Sequence, residues 1–188
     1  ITILSKNANL VKEGNFEVRN NINTSDELGL LGSHFDKMLD YIEKNTKELE
    51  LKVEERTAEI KYKLYYDELT GLKNRESLKQ DLKKEEFFAL SLIDIEGFDD
   101  INELYGFDVG NEILIKVREI LIDFSSINNQ SIYRLNSDIF AIVDKNITSF
   151  ISYEKVLKNI LDIFKKEIHI DSLNIDIHLY ITIGTSIS

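Results

Sequence analysis

Two apolar runs constrain this chain more than anything else in it. Residues 87–95 read Phe-Phe-Ala-Leu-Ser-Leu-Ile-Asp-Ile, and residues 132–143 read Ile-Tyr-Arg-Leu-Asn-Ser-Asp-Ile-Phe-Ala-Ile-Val. The first is the near-continuous hydrophobic stretch expected of a central strand covered on both faces. The second is a pair of β-favouring runs about the polar trio Asn136, Ser137 and Asp138. That is the pattern of a tight β-hairpin, because Asn and Asp tolerate positive φ at a turn and Ser bonds nearby backbone. If the two runs lie side by side in one sheet, Asp94 and Asp138 can converge on a metal ion. A bare buried charge is too costly to leave alone. Asp94 therefore reads as a ligand, a hydrogen-bond acceptor, or the cap of the next helix.

Around these runs the pattern alternates between helix and strand. Leu114, Val117, Ile120 and Leu121 recur at helical spacing, as do Val156, Leu157, Ile160, Leu161 and Phe164 within residues 151–166. Residues 173–187 alternate and read as one or two strands. An α+β sandwich is the fold class this order implies. With 43% hydrophobic residues the chain can bury a core, and without cysteine it has neither disulfides nor thiolate metal sites. A net charge of -11 argues against a nucleic-acid partner. No apolar run approaches the roughly 20 residues that span a bilayer. His34, His169 and His178 are scattered without metal-ligand spacing.

The N-terminal third carries no chemistry. Ile1, Ile3, Leu4, Ala8, Leu10 and Val11 form one helical stripe that Gly14 can stop. A connector anchored by Phe16, Val18 and Ile22 follows, and Ser25 or Asp26 caps a second helix bearing Leu28, Leu31, Phe35, Met38, Leu39 and Ile42. That helix runs on: Ile42, Leu49, Val53, Ile60 and Leu64 keep a 3–4 spacing if Thr46 and Arg56 fill the core slots between them. Charged residues on the outside suit a two-stranded coiled coil, although a long solvated helix in a monomer would read the same way. Gly71 then breaks the period and Asn74 can cap a helix holding Leu78 and Leu82.

Three segments resemble known modules. Gly14-Asn15, Asp26-Glu27-Leu28-Gly29 and Phe35-Asp36-Lys37-Met38 resemble the HAMP signal relay, and residues 51–60 resemble the signalling helix that follows it. Asp67-Glu-Leu-Thr-Gly-Leu-Lys-Asn-Arg75 is similar to the opening signature of GGDEF domains, the diguanylate cyclase family. The resemblance implies a HAMP-like module at 1–45, a coiled-coil signalling helix at 46–65 and a GGDEF-like, nucleotidyl-cyclase-type palm at 66–188. The missing initiator Met and the apolar strand at the end read as a fragment cut at both sides. The expected setting is therefore the cytoplasmic portion of a bacterial inner-membrane receptor, attached through a missing N-terminal segment and homodimeric through its HAMP and coiled-coil parts.

By the same resemblance Asp94, Asp138 and the backbone of Ile95 would hold Mg2+, and Asn102 and Asn111 would meet the guanine of GTP. The departures are pointed. Asp99 stands where the family has Lys, Phe107 where it has His, and Asn111 where it has the guanine-reading Asp. The signature hairpin reads Asn136-Ser137-Asp138-Ile139-Phe140, with side chains in place of two glycines and Ile139 in place of an acid. Ile127-Asn128-Asn129-Gln130 lacks the Arg and Asp of the family's product-inhibition site. The expectation is a degenerate GGDEF domain, regulatory or dimerising, that can precede an EAL phosphodiesterase. The alternatives are an active or weak diguanylate cyclase that uses Asp94 and Asp138 to convert two GTP to cyclic di-GMP, and a non-catalytic GTP sensor.

Overall fold

The computed structural model describes residues 2–22, 24–128, 130–147 and 150–188. The chain divides into two compact units, residues 1–60 and 61–188. In the first, helix α1 (Thr2–Lys12) stops where Gly14 takes φ +90°, a left-handed conformation that glycine adopts without penalty. The connector then returns along helix α2 (Glu27–Tyr65), whose start is capped by Asp26 Oδ1 accepting from the Gly29 N–H at 3.1 Å. Two glycines let that connector come close. A Cβ on Gly29 would stand 1.9 Å from the Thr24 carbonyl oxygen, and one on Gly32 would stand 3.1 Å from Ile22 Cβ. Asp36 holds the connector by accepting from the backbone N–H groups of Asn20 and Asn21, and Arg19 pairs with Asp40 and Glu43. Phe16, Val18 and Ile22 are half-buried anchors. Farther along α2, Leu49, Val53 and Ile60 are exposed on the single chain.

In the second unit α2 ends at Tyr65, Gly71 turns the chain at φ +66°, and Asn74 Oδ1 accepts from the Glu76 and Ser77 N–H groups to start helix α3 (Arg75–Leu82). Then come strand β1 (Ala89–Ile95), helices α4 (Phe98–Tyr105) and α5 (Phe107–Asn128), strands β2 (Ser131–Arg134) and β3 (Ile139–Asp144), helix α6 (Phe150–Phe164), and strands β4 (Ile168–Ile170), β5 (Ile175–Ile177) and β6 (Ile181–Ile187). The main sheet has the order β2-β3-β1-β6, with every neighbouring pair antiparallel. β1 and β2 thus run parallel with β3 inserted between them, the split β-α-β arrangement. β4 and β5 form a separate two-stranded ribbon. The α+β expectation is what the structure shows.

One face of the sheet carries the core. Ile93, Ile95, Phe140 and Ile142 pack there against Ile113, Val117 and Leu121 of α5 and Ile160 and Phe164 of α6. On the other face, Leu78 packs with Tyr133, Ala141 and Val143. The expectation that β1 is covered on both faces fails over its C-terminal half, where Leu92 and Asp94 are exposed. Their β6 partners, Gly184 and Thr182, are exposed too, because α3 covers only the β2–β3 side of that face. Asp94 is therefore a surface carboxylate at a strand end, not a buried charge. Strand β4 has no counterpart in the sequence reading, since three residues are too few to show a period. Truncating Ile93, fully buried in the central strand, to alanine should cost about 2–5 kcal/mol. Urea unfolding should show it as a lower midpoint at unchanged slope.

Candidate functional site

The hairpin between β2 and β3 closes differently from the sequence expectation. Among the described residues the positive-φ positions outside glycine are Asn21 and Asn174, so neither Asn136 nor Asp138 uses the left-handed region. Instead the Leu135 N–H donates to the Ile139 carbonyl at 2.8 Å, and Arg134 fixes the loop from inside. Arg134 Nε and Nη2 donate to the Ser137 carbonyl at 3.2 and 2.6 Å, while Nη1 donates to Asp67 Oδ1 at 2.8 Å. Asp67 also accepts from the Thr70 hydroxyl and N–H at 2.6 and 2.8 Å. A backbone bond from the Arg134 N–H to the Lys73 carbonyl, 2.9 Å, runs beside this link. Lys73 in turn reaches Asp81, which accepts from the Tyr133 hydroxyl at 3.0 Å. The segment following α2 is thereby sewn to the hairpin strand. Asp67 and Arg134 both stood in recognised motifs, yet nothing in either motif alone assigned the pairing.

Across the sheet, Asp94 pairs in register with Ile139. Directly opposed residues project from the same face. The position where an acid would stand beside Asp94 thus carries an apolar side chain. Asp138, one residue earlier in the loop, is half-buried. Burial is the main cause that raises its carboxyl above the ordinary range, and the charges of Asp94 and Asp99 push it the same way. The two predicted ligands are therefore brought into one electrostatic neighbourhood, together with the departing Asp99. Ile95 is buried, Asn136 and Ser137 are exposed, and Phe140 is fully buried in the core. Among the described residues no group of three His, Cys, Asp or Glu side chains could hold a metal ion. The pair Asp94 and Asp138 could grip magnesium only with substrate phosphates completing its shell.

At the other end, Asn102 on α4 is half-buried against α5, and its Oδ1 would lie 1.9 Å from a Cβ placed on Gly110. Phe98 closes the same gap at 3.3 Å. Only glycine permits that approach, which seats the Asn102 amide beside the residue preceding Asn111. Asn111 itself is exposed on α5. Of the residues at the expected inhibition site, Ile127 is exposed, Gln130 donates to Asp144 Oδ2 at 2.8 Å, and Asn129 lies outside the described residues. His169 pairs with Asp176 and His178 with Glu167.

The "Diguanylate cyclase, GGDEF domain" family profile matches residues 64–188. The chain belongs to the GGDEF family. Over 115 residues it is 31% identical to the probable diguanylate cyclase DgcI of Escherichia coli, covering 59% of this chain and 24% of that protein. An uncharacterized Staphylococcus aureus membrane protein is 30% identical over 128 residues, 63% of this chain and 35% of that one. The chain thus spans about a quarter of the first of these relatives and about a third of the second. Among solved structures, the coiled coil and GGDEF domain of DgcB from Caulobacter crescentus, in complex with c-di-GMP, superposes with a TM-score of 0.66 at 19% identity, over 80% of this chain and 83% of that one. This likeness supports the shared fold: a long helix, then an antiparallel sheet.

Within this GGDEF domain two carboxylates pull stability in opposite directions with pH. Burial alone would raise Asp67, but the Thr70 bonds and Arg134 together hold it below the ordinary range. Its contribution is present above the unfolded value, about 3.9, and is lost as pH falls through the lower folded value. Asp67→Asn should therefore lose about 1.5–3 kcal/mol at pH 7 and much less in acid. Asp138 is raised, so its cost is present above the folded value and fades as pH drops toward the unfolded one. Asp138→Asn should raise stability modestly at pH 7 and leave it unchanged below pH of about 3.9. Thermal melts of both variants across pH 3–8 check the two signs.

Proposed function

We propose that this chain is a signal-transduction segment of a bacterial cyclic di-GMP pathway receptor whose GGDEF domain is degenerate. It would act as a regulatory and dimerising module rather than as a cyclase. The observation that carries this reading is the register of β1 against β3, which sets Ile139 opposite Asp94. An acid there would add a third carboxylate to Asp94 and Asp138, and isoleucine supplies none. Asp94, Asp138 and the backbone carbonyl of Ile95 are the groups that would hold magnesium. When bound, such an ion neutralises phosphate charge during nucleotidyl transfer. Asp99 at the start of α4 adds charge of the wrong sign for a triphosphate. Asn111 offers guanine one acceptor where a carboxylate offers two.

In this reading residues 1–45 are the HAMP-like relay and 46–65 the signalling helix. The exposed stripe of Leu49, Val53, Ile60 and Leu64 on α2 supports pairing with a second copy. The Staphylococcus relatives are described as membrane proteins, which supports membrane attachment; the inner-membrane receptor with this segment on its cytoplasmic side is part of the proposal. No helix of the described residues is long and apolar enough to cross a membrane. Retention of Asp94 and Asp138 favours a weak diguanylate cyclase as the second reading. The test is direct. Purified dimeric protein incubated with GTP and magnesium should yield no cyclic di-GMP by chromatography, and accumulation of that product would overturn the proposal.

A further inference from the structure

Helices α4 and α5 and the β4–β5 ribbon surround an apolar cavity. Its volume is about 110 Å³, and Tyr105, Val109, Ile113, Leu173 and Ile175 are among the side chains that line it. Pockets for nucleotides and other small ligands run to about 300–1,000 Å³, so this one is too small for them. It has room for a single apolar side chain, much as an apolar cavity of about 150 Å³ has room for benzene. The ribbon is pinned over it: Glu112 of α5 accepts from the Ser172 N–H at 3.2 Å, and Lys116 pairs with Asp171 at 2.8 Å. The rim is apolar and uncovered. Leu173 and Ile175 are exposed, and so are Leu104 and Phe107 on either side of the α4–α5 turn, at 72% and 78%. An exposed apolar rim around a preformed pocket is the form of a protein contact site, where one anchoring side chain carries much of the affinity.

Charge selects the partner. From Phe98 to Ile113 there are five carboxylates and no Lys or Arg, and from Ile168 to Ile177 there are two more, again with no Lys or Arg. Four of these seven stand next to lining residues: Asp108 before Val109, Glu112 before Ile113, Asp171 after Ile170, and Asp176 between Ile175 and Ile177. The cations nearby are already paired, Lys116 with Asp171, His169 with Asp176 and His178 with Glu167. Like charge opposes an anionic membrane at this rim, and equally a second copy of a chain with net charge -11. A cationic partner is attracted. We infer that this face docks a basic amphipathic protein segment, which seats one apolar side chain in the cavity and sets Lys or Arg against Asp108, Asp171 and Asp176. The inference is independent of metal binding and of any cyclase chemistry.

The experiment is fluorescence anisotropy of the full chain with two labelled synthetic helical peptides. One is an amphipathic pattern of Leu and Lys, and the other has every Lys replaced by Glu. The Leu/Lys peptide should bind about tenfold tighter than the Leu/Glu peptide, or more. Leu173→Ser should weaken the Leu/Lys peptide about tenfold. Asp108→Lys should weaken it about as much at low salt and less at high salt. Glu154→Lys makes the same change of net charge on α6, which does not line the cavity, and should leave binding within about twofold. All three positions are exposed, and matched thermal melts confirm that the variants fold. No binding of the Leu/Lys peptide, equal binding of both peptides, indifference to Leu173→Ser, or equal weakening by Asp108→Lys and Glu154→Lys would each overturn the inference. So would a change of oligomeric state in sedimentation of Leu173→Ser, which assigns the face to a second copy. Binding to phosphatidylglycerol vesicles that Leu173→Ser abolishes would overturn it too, by assigning the face to a membrane.

Discussion

Arg134 is the residue on which the geometry of the catalytic-type end depends. Its side chain is almost fully buried, and its guanidinium donates to one carboxylate and one carbonyl. A buried guanidinium persists only when its donors are met. Here the Asp67 carboxylate and the Ser137 carbonyl meet them. Asp67 is shaped by the Thr70 turn that follows α2, and Ser137 by the hairpin loop. The link therefore ties the turn that follows α2 to the signature loop.

That arrangement separates what holds the loop from what the loop could catalyse. Arg134 grips a backbone carbonyl, which any residue at position 137 provides. Phe140 anchors the following strand in the core, and Leu135 and Ile139 close the loop through their backbones. None of these contacts uses the side chains of Asn136, Ser137 or Ile139. Substitution at the chemistry-bearing positions therefore leaves the fold's own bonds in place. Asp138 carries the opposite sign of balance, since its charge is opposed by Asp94 and Asp99 and relieved only in part by Arg134. A domain released from metal chemistry would be expected to tolerate such a carboxylate but gain nothing from it in stability.

The sequence made the fold legible where periods were long. The helices α2 and α5, the hairpin and the apolar run of β1 all follow from spacing, as does the Asn74 cap. Three things were not legible. Exposure of Asp94 depends on how far α3 extends over the sheet, a tertiary fact that the apolar run 87–95 conceals. The hairpin's closure without positive φ depends on Arg134, whose reach to Asp67 spans 67 positions. Strand β4 is one alternation long. For the site, motif resemblance placed Asp94, Asp138, Asn102 and Asn111, but only the register showed that Ile139 faces Asp94, and only the Gly110 approach showed that Asn102 is held.

The two ends of the domain differ in their chemistry. At the end of β1, Ile139 stands opposite Asp94, and Asp99 adds a further negative charge near Asp138. On α4 and α5, Asn102 and Asn111 carry uncharged amides, each with an accepting and a donating group. Here the Asn102 amide is kept in a tight seat that only glycine at 110 allows, with Asn111 next in sequence and an exposed ring one turn away. The two sets of groups sit on different elements: Asp94 and Asp138 on β1 and the β2–β3 loop, Asn102 and Asn111 on α4 and α5.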